Sequence, residues 1–419
     1  MWDPYAEFLS TTLPNGLTVH AAQWPGRPWE SLGFLVHSGA ENDPVGLEGL
    51  AHFVEHLVSE NAGVPKNDTL SFFADCGGNA NLGSTNYAST RYHAFVPVSE
   101  YILAKTFDIF GQMLMTAKLE KMIERERQVI IGEFYRNYPV QFSLDLNVRE
   151  RRVLYAGHWL ERFVRPLGLP ESINRIMPQD LQAYYDAHYT PANISIVGVG
   201  GMSLDDLANL VSESPFSADK PGKRTPPDQP LSIFPPLTET RYVFEISRHV
   251  KMAELAMVGS YSSTAKLPGD ASQPAIGILK DMFDEALNDE VRERRAWTYA
   301  ISSSYANFRS LSEFSIDCRA LVPQAMEEIE SVIDASIADM GNQEGRFKSA
   351  KRRALASNFM IDPTGRGVCD GALSDLTVAQ RIISLAEYER DIREVTMKDI
   401  LRLLDYLRPE KRWTLITKP

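Results

Sequence analysis

Within five residues, His52-Phe53-Val54-Glu55-His56, stand three side chains able to act on a metal and a proton. Successive positions of an α-helix turn by about 100°, so histidines four apart lie about 40° from each other, one turn apart. Glu55 falls about 60° to the other side of His52, which puts all three on one helix face. Two imidazoles so spaced offer two corners of a tetrahedral zinc site. A carboxylate beside them is placed to take a proton from water and return it to a leaving amine. The order His-x-x-Glu-His is the inverted form of the commoner zinc-protease signature. With eight histidines in 419 residues, chance yields such a pattern in roughly one protein per hundred. A third ligand is needed, and its expected source is the segment Glu126-Arg127-Gln128-Val129-Ile130-Ile131-Gly132-Glu133. Its two carboxylates are seven apart and share a helix face, while Val129 and Ile130 look toward the core.

These groups must be held by surrounding elements. Leu47–Val58, Tyr101–Met115 and Glu120–Tyr138 have helical periodicity. Strands are expected at Thr12–His20, entered through the Asn15-Gly16 turn, and at Leu32–Val36, Tyr92–Val98 and Asn193–Val199. The stretch from Ser212 to Pro236 holds seven prolines among Lys and Asp and reads as a semi-rigid linker. The pattern then restarts with a strand at Tyr242–Ile246, a helix over about Gln273–Arg294, and alternation over Tyr299–Tyr305. We therefore expect two α+β domains, 1–211 and 237–419, joined by 212–236, in a duplicated arrangement without a residue-level repeat.

Composition sets the bounds. The apolar fraction of 44% supplies cores for both halves. A formal charge of −12, from 55 acidic and 43 basic residues, argues against nucleic acid as a partner. The basic runs Arg292–Arg295 and Lys351–Arg353 read as solvated helix faces. Cys76, Cys318 and Cys369 are scattered and odd in number, which supports neither a disulfide framework nor a thiolate metal site. No apolar run reaches the roughly 18 residues of a membrane span. Met1-Trp2-Asp3-Pro4 carries no secretory-leader pattern, so a cytoplasmic location is expected, with a mature exported form as the alternative.

With these residues in view, the chain resembles the pitrilysin and insulysin metallopeptidases, in particular the short two-domain branch similar to mitochondrial and bacterial processing peptidases. Leu13-Pro14-Asn15-Gly16, the inverted motif and the Glu-x6-Glu pair carry the resemblance. The family's third zinc ligand lies 76 or 77 residues beyond the second histidine; here 77 residues past His56 stands Glu133. The resemblance thus implies one zinc ion on His52, His56 and Glu133, with Glu55 as the base and Glu126 supporting a ligand. Gly77-Gly78 with Asn81, Thr85 and Thr90 is similar to the family's substrate-binding edge strand, which takes a peptide as an added β-strand. Here the Asn-to-Thr interval is one residue longer, and Leu82 replaces an alanine. Arg292-Glu293-Arg294-Arg295-Ala296-Trp297-Thr298-Tyr299 is similar to the segment whose Arg and Tyr bind the scissile peptide and its oxyanion, with Ala296 for Gly and Trp297 for Leu. The implied fold is two tandem, mostly antiparallel sheets covered by helices, forming half of a clamshell. The implied activity is zinc endopeptidase action on short or unfolded peptides in a chamber closed by a second chain, either an identical subunit or a related degenerate one. A non-catalytic subunit is the competing class, and retention of His52, Glu55, His56 and Glu133 speaks against it.

Overall fold

The computed structural model describes residues 2–61, 65–139, 141–226, 230–245, 259–357 and 365–418. It divides into two compact α+β units. One comprises Met1–Pro139, Arg162–Pro226 and Ile361–Leu385, the other Val140–Glu161, Pro227–Met360 and Ala386–Pro419.

In the first unit, β1 (Phe8–Thr12), β2 (Thr18–Gln23), β3 (Trp29–Val36), β4 (Asn79–Thr85), β5 (Thr90–Pro97) and β6 (Ile194–Gly200) form a sheet ordered β1-β2-β6-β3-β5-β4. In the second, β7 (Arg241–Glu245), β8 (Ser260–Pro268), β9 (Ala300–Asn307), β10 (Leu311–Arg319) and β11 (Arg412–Lys418) are ordered β7-β11-β8-β10-β9. With β1 set aside, each sheet places its strands first, fifth, second, fourth, third in chain order. In each, the first and fifth strands are parallel and the remaining pairs antiparallel. The duplication expected from the restarting pattern is therefore a repeat of topology. Pairing and burial set topology, and many apolar sequences satisfy both, so it outlasts residue identity.

The helices are α1 (Leu50–Ser59), α2 (Lys66–Asp75), α3 (Glu100–Met115), α4 (Ile123–Asn137), α5 (Gln141–Leu154), α6 (Pro170–Arg175), α7 (Pro178–His188), α8 (Leu204–Ser212), α9 (Gln273–Leu287), α10 (Ile329–Asp339), α11 (Glu344–Ser357), α12 (Arg366–Val378), α13 (Leu385–Glu394) and α14 (Met397–Leu404). β6 is buried at every residue because both faces of the first sheet are covered, which explains its unbroken apolar character. Phe34 and Ile196 face a core with Phe53, Phe107 and Phe110. Leu35, Val197 and Val199 face Val368, Cys369 and Leu373 of α12.

The units do not follow one cut in the Pro-rich stretch. α5, ahead of that stretch, belongs to the second unit, and α12, far behind it, belongs to the first. The reason is burial: α12 supplies the apolar cover for the outer face of β3 and β6, a long-range match that local composition does not reveal. Pro227 of the stretch and Ile246 of the expected strand lie outside the described residues.

Several boundaries move for local reasons. The motif helix starts at Leu50 rather than Leu47, after Gly46 and Gly49 at φ 88° and 97°. A Cβ on Gly49 would lie 2.4 Å from the Leu167 carbonyl oxygen, so both conformation and space call for glycine there. The expected Gln273–Arg294 helix stays regular to Leu287 and then widens, with Arg294 N–H bonded to the Asp289 carbonyl five residues back. Beyond it Ala296 holds φ 52°, a left-handed conformation where the resemblance carries glycine. Ala296→Gly is expected to stabilise the fold by about 0.5–1 kcal/mol, the relief exceeding glycine's extra chain entropy. A denaturation midpoint unchanged or lowered would show that the turn holds no strain.

Candidate metal centre

α1 is buried along nearly its whole length, and its start is fixed by Asp43. The Asp43 carboxylate accepts the N–H groups of Gly49 at 2.7 Å and Ala51 at 2.8 Å, serving as a cap where no cap side chain exists. Arg162 donates to the Asp43 carbonyl at 3.2 Å and to Glu48 at 2.9 Å. α4 is held against α1 by Arg127, whose guanidinium sits 5.3 Å from the Phe53 ring centroid and donates to the carbonyls of Ile173 and Ile176. These anchors set the distance between two helices that each carry half of the candidate site.

The two halves converge. His52 Nε2 lies 3.8 Å, and His56 Nε2 3.7 Å, from the same Glu133 oxygen, Oε2. Both separations exceed a hydrogen bond. They approach the roughly 3.3 Å between neighbouring donors of a tetrahedral zinc with bonds near 2.05 Å. Behind His56, Glu126 Oε2 is 3.1 Å from Nδ1. A proton on Nδ1 donated to Glu126 leaves the Nε2 lone pair facing Glu133, the usual arrangement of a carboxylate behind a metal-bound imidazole. Glu126→Gln keeps the shape and removes that charge, so zinc affinity is expected to fall about 10- to 100-fold. Competition with a chelator measures it, and unchanged affinity would strip Glu126 of this role.

His52, Glu55 and His56 also form a compact trio, with potential ligand atoms all within 4.8 Å, which makes Glu55 a rival third ligand. Geometry favours Glu133. Glu55 Oε2 is 3.9 Å from His52 Nε2, and its two oxygens receive the hydroxyls of Ser59 at 3.4 Å and Thr85 at 3.5 Å. The electrostatics separate the two carboxylates further. Burial raises the pKa of Glu55 despite the opposing fields of His56 and Lys66. His56 above all, with His52 and Arg136, holds Glu133 below the usual carboxylate range. Glu133 is thus the better candidate for a charged ligand, and Glu55 the more basic carboxylate. Burial, then neighbouring His56, keeps His52 neutral and ready as a donor.

β4 forms the sheet's exposed edge beside this centre. Its pairing with β5 shifts register between Asn81, opposite His93, and Ser84, opposite Arg91. That bulge absorbs the extra residue in the Asn-to-Thr interval. It also presses Gly83, which the sequence alone did not single out, against Glu55: a Cβ there would lie 1.9 Å from Oε1. Ser59 ties the two elements together, donating to the Leu82 carbonyl at 2.6 Å and the Glu55 carbonyl at 2.8 Å. Thr85 lines the cleft with His52, Glu55, His56 and Glu133. Asn81 is exposed on the same strand, its side-chain oxygen accepting the Gly83 N–H at 3.2 Å. Thr90 corrects the sequence expectation. It lies on β5, 1% exposed, and donates to the Ser38 carbonyl at 3.0 Å, so it supports the fold rather than meeting a peptide.

Arg292 and Tyr299 belong to the second unit, flanking the Ala296 turn ahead of β9. Arg292 is half-exposed and 3.5 Å from Glu293; Tyr299 is 91% exposed. α9, which follows the second strand of its sheet as α1 does in the first, carries no histidine.

Comparison with known proteins follows the same division. The family model described as insulinase (peptidase family M16) matches residues 19–141, which include the motif and Glu133. The one described as peptidase M16 inactive domain matches residues 175–354, where no His-x-x-Glu-His occurs. The mitochondrial-processing peptidase subunit beta of Neurospora crassa is 24% identical over 94% of this chain and 83% of its own length. The zinc protease PqqE of Helicobacter pylori is 22% identical over 98% and 92%. In fold, a crystal structure of a protease from Helicobacter pylori superposes at a TM-score of 0.79 with 18% identity, covering 100% of both chains. Motif, fold and matches agree, and the chain belongs to peptidase family M16, the insulinase family, in its processing-peptidase branch.

Proposed function

We propose that this chain is a zinc-dependent endopeptidase that cuts short or unfolded peptides. The observation carrying the proposal is the convergence of His52 Nε2 and His56 Nε2 on Glu133 Oε2, with Glu126 behind one imidazole and Glu55 alongside. The donor set suits zinc, since two imidazoles and a carboxylate leave a fourth position open. Zinc held there would act as a Lewis acid on the scissile carbonyl and on water. Glu55 takes the proton of the attacking water on a carboxylate oxygen and passes it to the leaving nitrogen; its burial keeps it basic enough for the first step. The exposed edge of β4 offers backbone groups to an extended peptide, which supports binding largely independent of sequence.

Arg292 and Tyr299 are proposed as donors to the developing oxyanion, a role consistent with the exposed Tyr299 side chain. Because each chain carries both the zinc motif and this pair, the working unit is proposed to be a dimer of two copies. Purified protein should contain one zinc per chain, run at twice the chain mass, and cleave members of a mixed peptide library. A zinc-loaded dimer that leaves every peptide intact would defeat the peptidase reading, whereas an inactive zinc-loaded monomer would point to a related partner subunit.

A further inference from the structure

The catalytic assignments leave two charges in the cleft without a task. Lys66, at the start of α2, and Arg165, in the segment before α6, line it beside His52, Glu55, His56 and Glu133. The two carboxylates of the lining are Glu55 and Glu133, the base and the ligand. The other polar lining residues, Ser84, Thr85, Asn86 and Asn137, are neutral. Arg136, on the next turn of α4, is already 3.8 Å from Glu133. Among the described residues neither Lys66 nor Arg165 forms an ion pair, although Lys66 lies within the field of Glu55. Among the described residues the Arg165 guanidinium has only the Tyr138 ring, at 5.9 Å from its centroid. A peptide bound across the cleft strips water from both cations, which disfavours binding unless the peptide supplies carboxylates in return. The chain's net charge of −12 works the other way and repels acidic peptides at long range. A preference for them would therefore arise from the cleft itself.

We propose that the cleft selects peptides carrying Asp or Glu within a few residues of the scissile bond, with Lys66 and Arg165 receiving those carboxylates. The inference rests on the peptidase reading above. Lys66 also acts on Glu55 through its field, so a change in overall rate would not isolate its role toward substrate. The ratio of kcat/KM between two peptides differing only at flanking positions does isolate it, because an altered base affects both alike.

The test uses the zinc-loaded full chain and three matched quenched-fluorescent peptide series, flanked by Asp/Glu, by Asn/Gln, or by Lys/Arg. Acidic peptides should be cleaved about five- to tenfold better, in kcat/KM, than their amide counterparts. The advantage should shrink at about 0.5 M salt, where the screening length falls to about 4 Å, close to the separation of an ion pair. The double variant Lys66→Gln/Arg165→Gln should bring the ratio near one, and Lys66→Glu/Arg165→Glu should turn the preference toward Lys/Arg peptides. Equal cleavage of acidic and amide series by the natural chain would overturn the inference and leave the peptidase reading standing. So would an acidic preference that survives the double variants. Failure of the zinc-loaded dimer to cleave any series would overturn the peptidase reading on which it rests.

Discussion

Glu55→Gln should lower peptide hydrolysis by about 10³-fold, within the range a positioned general base contributes, while zinc stays bound. The substitution removes one negative charge and the ability to accept a proton, and it alters no heavy-atom volume. Glu55 lies 7% exposed on α1, with Ser59 and Thr85 donating to its oxygens. An amide oxygen can keep one of those contacts, so the helix and both imidazoles should remain in place. Zinc retention follows if Glu133 rather than Glu55 completes the donor set. The two candidate roles of Glu55 therefore give opposite results: loss of hydrolysis with full zinc identifies a base, and loss of zinc identifies a ligand. Zinc per chain and kcat on one peptide decide between them. Cleavage near the natural rate, still abolished by a chelator, would refute the base assignment.

Gly83→Ala is the second large effect, and it reaches the same carboxylate from the opposite strand. The added methyl would fall 1.9 Å from Glu55 Oε1, 2.5 Å from Cδ and 2.7 Å from Cγ. Glu55 cannot retreat into the helix, whose neighbouring positions are packed, so its side chain must rotate or the β4 bulge must lift. Rotation is the easier response, because the obstructing atoms are the end of a flexible side chain rather than backbone. Folding and zinc binding should persist. A base displaced by about 1 Å can lower turnover about 100-fold. Unaltered kcat in Gly83→Ala would show that the close approach of β4 has no part in setting the base. The double variant Glu55→Gln/Gly83→Ala should be no worse than Glu55→Gln alone, since both changes act on one group.

The difference between these two residues marks where sequence reading stops. Glu55 was legible because its relation to His52 and His56 is helical, and a repeat of 3.6 residues places neighbours three and four apart without knowledge of the rest of the chain. The Glu126 and Glu133 pair was legible for the same reason, as two positions on one face. The resemblance pointed to Glu133 by its spacing, but whether that carboxylate reaches the imidazoles depended on how far α4 lies from α1. Packing decides that distance, through Phe53, Arg127 and the carbonyls of Ile173 and Ile176.

On the strands the period of two carries less information, and one inserted residue reverses which side chains face the cleft. The longer Asn-to-Thr interval was visible in the sequence, yet the register between β4 and β5 determined its outcome. Thr85 reaches Glu55, Thr90 is buried against Ser38, and the bulge brings Gly83 onto Glu55. By itself, then, the sequence specified a helix with the His-x-x-Glu-His motif, a paired-carboxylate helix, and two α+β halves with a strand-helix pattern that restarts. Tertiary structure alone decided that α5 belongs to the second unit and α12 to the first, and that Gly83 lies against Glu55; it also brings Glu133, which the resemblance implied, up to the imidazoles. Those outcomes rest on contacts between residues distant in the chain, where burial and close packing choose the partner and local periodicity is silent.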